Sequence, residues 1–147
     1  MDTRLPGQPS EAVGALHAMS TAPHRLGSEL RGDDFVLVEW SDNGETSSAE
    51  RPIAPLHVHD RDDEAWYVLE GTLGFRVGDE LVEAPSGAAV LVPAGMPHSF
   101  WNARPAPARY VLVMTPRIAA LVAAIHEPGA RDDLDALFHR FDSRLVH

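Results

Sequence analysis

The middle of the chain consists of short apolar runs that are separated by turn residues. Residues 35–40 and 64–69 are rich in β-branched and aromatic side chains, which favours strands. Residues 73–77 and 81–83 flank a turn at Gly78, and glycine readily adopts the positive φ of tight hairpin turns. Two further runs predict strands at residues 88–92 and 109–114. The pattern therefore predicts a domain built mainly from antiparallel strands.

After residue 115 the apolar pattern changes to helical spacing. Thr115 followed by Pro116 is typical of a helix start, and Pro128 with Gly129 ends that segment. The apolar residues of the two predicted helices are Ile118, Leu121, Val122 and Ile125, then Leu134, Leu137, Phe138 and Phe141. Strands first and helices last predict an all-β antiparallel barrel that C-terminal helices close or cover.

The chain is expected to divide into three segments of one domain. Residues 1–27 contain three prolines and three glycines and form an N-terminal arm. Within the arm, a short helix could begin at Ser10 and end at Met19, although a partly ordered arm is the favoured interpretation. Residues 28–115 form the barrel, and residues 116–147 form a helical extension of it.

Composition excludes several classes of function. The formal charge is −10, with 12 basic and 22 acidic residues, which repels nucleic acid and anionic membrane surfaces. The chain has no cysteine, so disulfides, thiolate zinc sites and cysteine nucleophiles are excluded. No apolar run is long enough to span a bilayer, and the N-terminus lacks the pattern of a signal peptide. We therefore expect a cytoplasmic protein with neither nucleic-acid nor membrane partners.

Two stretches of the chain carry the candidate chemistry. His57 and His59 are two residues apart, so they lie on the same face of a strand, and Glu64 follows one short loop later. His98 arrives from a different strand. Imidazoles and a carboxylate that converge from separate strands are typical of a first-row metal site with open coordination positions. We therefore predict that His57, His59, Glu64 and His98 are metal ligands.

Residues in phase with these ligands should face the same cavity. Trp66 shares the predicted face of Glu64, and Phe100 shares that of His98. Both aromatic residues are therefore candidates for the wall of a substrate pocket.

Five other positions near the ligands are interpreted from local pattern alone. Asp62 or Asp63 could ligate the metal, but a solvated turn is the favoured interpretation. Asn102 is expected to be a structural hydrogen-bonding residue. Ile53 and Pro55 are expected to share the inward face of the two neighbouring histidines.

The two stretches together resemble the signature motifs of the cupins, a family of small β-barrel proteins. They read His57-x-His59-x(4)-Glu64-x(6)-Gly71 and Gly87-x(5)-Pro93-x-Gly95-x(2)-His98-x(3)-Asn102. The resemblance implies a double-stranded β-helix, or jelly-roll, in a small single-domain microbial cupin similar to the quercetin-dioxygenase-like branch. It also implies that the N-terminal arm contacts a second subunit in a homodimer.

The ligand set and the resemblance lead to a functional hypothesis. One divalent ion per subunit, of iron, manganese, zinc, nickel or cobalt, would act as a Lewis acid toward a small-molecule substrate. A bidentate enolic, diketone or aromatic hydroxyl substrate suits two open positions, and Glu64 is the candidate general base. The leading hypothesis is a dioxygenase-like oxidoreductase. The alternatives are a metal-dependent isomerase, epimerase or decarboxylase, and a non-catalytic cupin that binds a sugar or another small ligand.

Overall fold

Residues 29–147, which the computed structural model describes, form two five-stranded antiparallel sheets. The strands are β1 (Glu29–Arg31), β2 (Val36–Asp42), β3 (Ala54–His59), β4 (Glu64–Glu70), β5 (Thr72–Val77), β6 (Glu80–Pro85), β7 (Ala89–Val92), β8 (His98–Asn102), β9 (Ala108–Met114) and β10 (Ser143–Leu145). Their order is β1-β2-β9-β4-β7 in the first sheet and β10-β3-β8-β5-β6 in the second. The predicted jelly-roll architecture is confirmed. The predicted N-terminal arm and its short helix lie outside the described residues.

The two sheets enclose one apolar core, and the alternation along each strand decides which side chains enter it. In β4, Glu64, Trp66 and Val68 are buried, whereas Tyr67 on the other face is 46% exposed. The face predicted for Glu64 and Trp66 is therefore confirmed. In β9, whose register the sequence leaves open, the buried residues are Ala108, Tyr110, Leu112 and Met114.

The predicted hairpin is formed by β5 and β6. Val77 pairs with Glu80 across the turn, and Gly78 adopts a φ of +60°, which is costly for residues with a Cβ. On its other side β5 pairs with β8, where Val77 lies opposite His98. The hairpin therefore supports the strand on which the third predicted ligand lies.

The C-terminal segment begins with the predicted helix. α1 (Pro116–Ile125) is capped by Thr115, whose hydroxyl oxygen accepts a hydrogen bond from the backbone N–H of Ile118 at 3.3 Å. Among residues 29–147, no helix is long and apolar enough to cross a membrane.

The rest of the C-terminal segment differs from the prediction. A 3-10 turn (Ala130–Asp133) leads into α2 (Leu134–His139), which is shorter than predicted because Phe141 lies beyond its end. The chain then returns to the second sheet as β10, which pairs with β3. No pattern in the sequence predicts this strand.

One prediction about the strand before the histidines is wrong. Ile53 is 37% exposed and Pro55 is exposed, so neither shares the buried face of the imidazoles. The pairing register of β3 and β8 shifts between Ala54 and His57. A bulge here interrupts the two-residue alternation, so that alternation does not predict which residues before His57 face the core.

The favoured interpretation of Asp62 as a solvated turn residue is also wrong. Asp62 is 8% exposed, and its Oδ2 atom lies 3.2 Å from Nη1 of Arg117 in α1. A buried carboxylate requires such a partner. The ion pair therefore connects the loop between β3 and β4 to the C-terminal segment.

Candidate metal centre

Two neighbouring strands bring the three motif histidines together inside the barrel. His57 and His59 lie on β3, and His98 begins β8, where it is the direct cross-strand partner of His57. One ring nitrogen from each imidazole lies within 4.8 Å of the other two. The three side chains are 1–5% exposed. Strand alternation and cross-strand pairing together produce this cluster.

The backbone orients two of these imidazoles. The Nδ1 atom of His57 lies 2.5 Å from the carbonyl oxygen of Pro55, and Nδ1 of His98 lies 2.9 Å from that of Met96. A carbonyl oxygen only accepts hydrogen bonds, so each Nδ1 donates its proton. In a neutral imidazole with this tautomer, Nε2 carries a free lone pair.

The third imidazole is oriented by a side chain. Nδ1 of His59 lies 2.7 Å from the hydroxyl oxygen of Ser143 on β10. That hydroxyl donates to the carbonyl oxygen of Phe141 at 3.1 Å, so it accepts from Nδ1–H of His59. All three Nδ1 atoms therefore point toward acceptors.

The Nε2 atoms accordingly face one another. Those of His57 and His59 are 3.1 Å apart, and Nε2 of His98 is buried without a hydrogen-bond partner among the described residues. Metal-ligating histidines characteristically anchor one ring nitrogen on a protein acceptor and direct the other at the ion. The orphaned Nε2 of His98 and the facing lone pairs fit a bound cation.

Burial favours the neutral form of His57 and of His98 by lowering the pKa of each. It lowers the pKa of His57 from 6.5 to about 3, with a further contribution from the neighbouring His98 and His59. Burial also lowers the pKa of His98, against the opposing effect of the Glu64 carboxylate. The pKa directions therefore favour the unprotonated form that binds metal.

Glu64 is buried beside the cluster, at the start of β4 in the opposite sheet. It is 6% exposed, and its Oε2 atom lies 3.0 Å from Nε2 of His59. The structure thus brings the three predicted histidine ligands together, whereas the fourth predicted ligand, Glu64, contacts one of them, His59. A set of three imidazoles and one carboxylate suits a first-row divalent ion.

The two predicted pocket residues pack in the apolar core next to the histidines. The ring centroids of Trp66 and His98 are 5.9 Å apart, and those of Trp66 and Phe100 are 5.3 Å apart. Both aromatic residues belong to the barrel core, at 1% and 5% exposed. A separate cavity of about 400 Å³, lined in part by Trp101 and Arg104, does not include the histidines.

Sequence reasoning missed two contacts that the C-terminal segment makes with the cluster. Ser143 bonds His59, and Phe138 of α2 packs edge-on against His57 with ring centroids 5.7 Å apart. The sequence shows the helical apolar spacing that includes Phe138, but it does not show that this ring contacts His57. A three-residue strand gives no pattern that would single out Ser143.

Comparisons with known proteins match the barrel region to a family. Residues 48–114 match the family model of the cupin domain. The protein TT1209 from Thermus thermophilus is 28% identical, with 59% of this chain and 77% of that chain covered and a TM-score of 0.50. None of the curated proteins matches the chain significantly.

Two further solved structures share the fold. BH2720 from Bacillus halodurans is 24% identical over 60% of this chain and 68% of that chain, with a TM-score of 0.51. A cupin protein from Bacteroides fragilis is 16% identical over 66% of this chain and 80% of that chain, with a TM-score of 0.50. The matched residues span both motifs, and the barrel agrees with this family in architecture, so residues 48–114 form a cupin domain.

Proposed function

We propose that this cupin is a metal-dependent enzyme in which His57, His59, His98 and Glu64 bind one divalent first-row ion. The observation that carries the proposal is the common orientation of the imidazoles. Each Nδ1 is engaged by an acceptor, and one nitrogen of each ring converges on a region 4.8 Å across. Such an arrangement costs free energy unless a cation compensates the facing lone pairs.

The proposed substrate is a small enolic, diketone or aromatic hydroxyl compound. A bound ion of this class acts as a Lewis acid that orients two substrate oxygens, and iron also supports dioxygen chemistry. An ion held by these four protein donors would keep open coordination positions for such a substrate. The proposed reaction is therefore a dioxygenase-like oxidation.

Glu64 is the proposed general base. Its carboxylate is held in the barrel next to His59 and on the same strand face as Trp66. A Glu64 carboxylate that loosens from the ion would accept the hydroxyl proton of the bound substrate. Trp66 and Phe100 then supply the apolar wall against which the carbon skeleton of the substrate packs.

A non-catalytic small-ligand cupin is the second candidate, and one observation favours it. All four predicted ligands are at most 6% exposed, so a substrate reaches them only if part of the protein moves. A binding or storage protein, in contrast, benefits from a closed site.

Oxygen uptake distinguishes the two candidates. We expect the Fe(II)- or Mn(II)-loaded protein to consume oxygen with a β-diketone or a catechol. Glu64→Gln should lower kcat at least about 100-fold because the base is removed. The matched control is Glu83→Gln, because Glu83 is exposed and paired with Arg104. A metal-loaded protein that consumes no oxygen with any of these substrates would overturn the dioxygenase proposal.

A further inference from the structure

The C-terminal strap, defined here as residues 134–145, covers the strand that carries two of the histidines. Its strand β10 pairs with β3 in a register that sets Ser143 opposite His59 and Leu145 opposite His57. Backbone hydrogen bonds extend this pairing, from Asp60 N–H to the Asp142 carbonyl at 2.8 Å and from Val146 N–H to the Leu56 carbonyl at 2.9 Å. The strap is therefore part of the sheet that forms the metal centre.

Ser143 makes a contact that the barrel alone does not provide. It is 1% exposed, and its hydroxyl oxygen lies 2.7 Å from Nδ1 of His59. Since the hydroxyl proton is donated to the Phe141 carbonyl, the serine accepts from Nδ1–H and excludes the other neutral tautomer of His59. The tautomer that leaves Nε2 free thus depends on a residue 84 positions later in the chain.

The strap also closes one side of the cluster. Phe138 is 3% exposed, and its ring meets His57 edge-on at a centroid distance of 5.7 Å. Arg117 anchors the strap next to Ser143, because its Nη1 atom lies 3.2 Å from Oδ2 of Asp142 and also 3.2 Å from Oδ2 of Asp62 in the loop between β3 and β4. Hydrogen bonds, an aromatic contact and ion pairs therefore hold the strap on the ligand-bearing strand.

We propose that Ser143 is a positioning residue for the metal centre and that the histidine cluster reaches its metal-binding form only when the strap is docked. The inference rests on the proposed metal-binding function and extends it to a segment beyond the two motifs. Because linkage is reciprocal, a metal ion that favours the docked form also stabilises the strap.

Metal affinity of three variants tests this proposal. Zn(II) and Co(II) affinities are measured by chelator competition for the full chain, Ser143→Ala, Ser143→Thr and Ser86→Ala. We expect Ser143→Ala to bind about 10–100-fold more weakly, as is usual when a group that orients a metal ligand is removed. Ser143→Thr keeps the hydroxyl and should restore most of the affinity. Ser86→Ala removes an exposed serine whose hydroxyl donates to the Leu69 carbonyl, far in sequence from the ligands, so it should have no effect.

Two further readouts separate positioning from loss of fold. In the Zn(II)-loaded unmutated protein, ¹⁵N spectra of histidine should find His59 bound through Nε2 and protonated at Nδ1. Hydrogen exchange at the amides of Asp60 and Val146 should slow when Zn(II) is added. Both measurements remain informative if Ser143→Ala does not fold.

The outcomes distinguish this inference from the proposed function. If the unmutated protein binds neither Zn(II) nor Co(II), the metal-binding function itself fails. If it binds them, but Ser143→Ala binds equally well or His59 coordinates through Nδ1, only the role of the strap is overturned.

Discussion

The Nε2 atoms of His57 and His59 lie 3.1 Å apart, although both rings use Nδ1 to donate to other groups. Two lone pairs at this distance repel each other unless a cation is shared between them. Either a proton on one ring or a metal ion meets that need. The Oε2 atom of Glu64, 3.0 Å from the His59 nitrogen, adds negative charge on the same side. This relationship supports the proposed metal centre.

The stability of the metal-free protein should depend on pH through His57. Burial lowers the pKa of this residue from 6.5 to about 3 in the folded state. Between those two values the unfolded chain binds a proton that the folded chain does not, so the free energy of unfolding falls as pH decreases from 6.5 toward 3. Denaturant unfolding with chelator present, at several pH values, measures the slope.

His57→Asn provides the control for this prediction. The variant lacks the imidazole whose pKa is lowered. Its free energy of unfolding should therefore decrease less between pH 6.5 and about 4 than that of the unmutated protein. Equal slopes for both proteins would contradict the assignment of the effect to His57.

Trp66→Phe should separate a pocket role from a packing role. The indole Nε1 of Trp66 is buried and has no hydrogen-bond partner among the described residues. Phenylalanine removes this unsatisfied donor and keeps an aromatic ring, so we expect a loss of less than about 2 kcal/mol in the free energy of unfolding. An unchanged KM in the active, metal-loaded protein would show that the indole does not contact substrate.

Asn102→Asp should destabilise the barrel without altering its metal content. Nδ2 of Asn102 donates to Oδ2 of Asp42 at 3.0 Å and to the Ala106 carbonyl at 2.7 Å. An ionised aspartate would place a negative charge against both acceptors, at a cost of roughly 2–4 kcal/mol. Thermal unfolding and metal analysis of the variant check the two parts. A loss of metal with unchanged stability would assign Asn102 to the site instead.

Much of the barrel could be predicted from local sequence patterns. Glu64 and Trp66 share a buried face because strand side chains alternate, and this period is visible in the sequence. The structural role predicted for Asn102 agrees with its amide, which bonds two acceptors inside the fold. The motif spacing also anticipated that His98 would meet His57, and the two prove to be cross-strand partners.

The errors arise where contacts are distant in sequence or the period is interrupted. Pro55 is exposed because a bulge shifts the register of β3, and the two-residue alternation of a strand does not predict a bulge. Asp62 is buried with Arg117 as its ion-pair partner, and this partner lies 55 positions later in the chain, where local patterns do not reveal it. The bond between Ser143 and His59 depends on a strand of three residues, which is too short to have a recognisable pattern.

Metal content is the most direct test of the proposed centre. Untagged protein, purified without chelator and soaked with divalent ions if necessary, is analysed for metal per subunit beside two variants. The proposal predicts about one equivalent in the unmutated protein, a near-complete loss in His98→Ala because one ligand is missing, and no change in His147→Ala because that residue is exposed. A protein that contains no metal and takes none up, or a His98→Ala variant that retains a full equivalent, would contradict it.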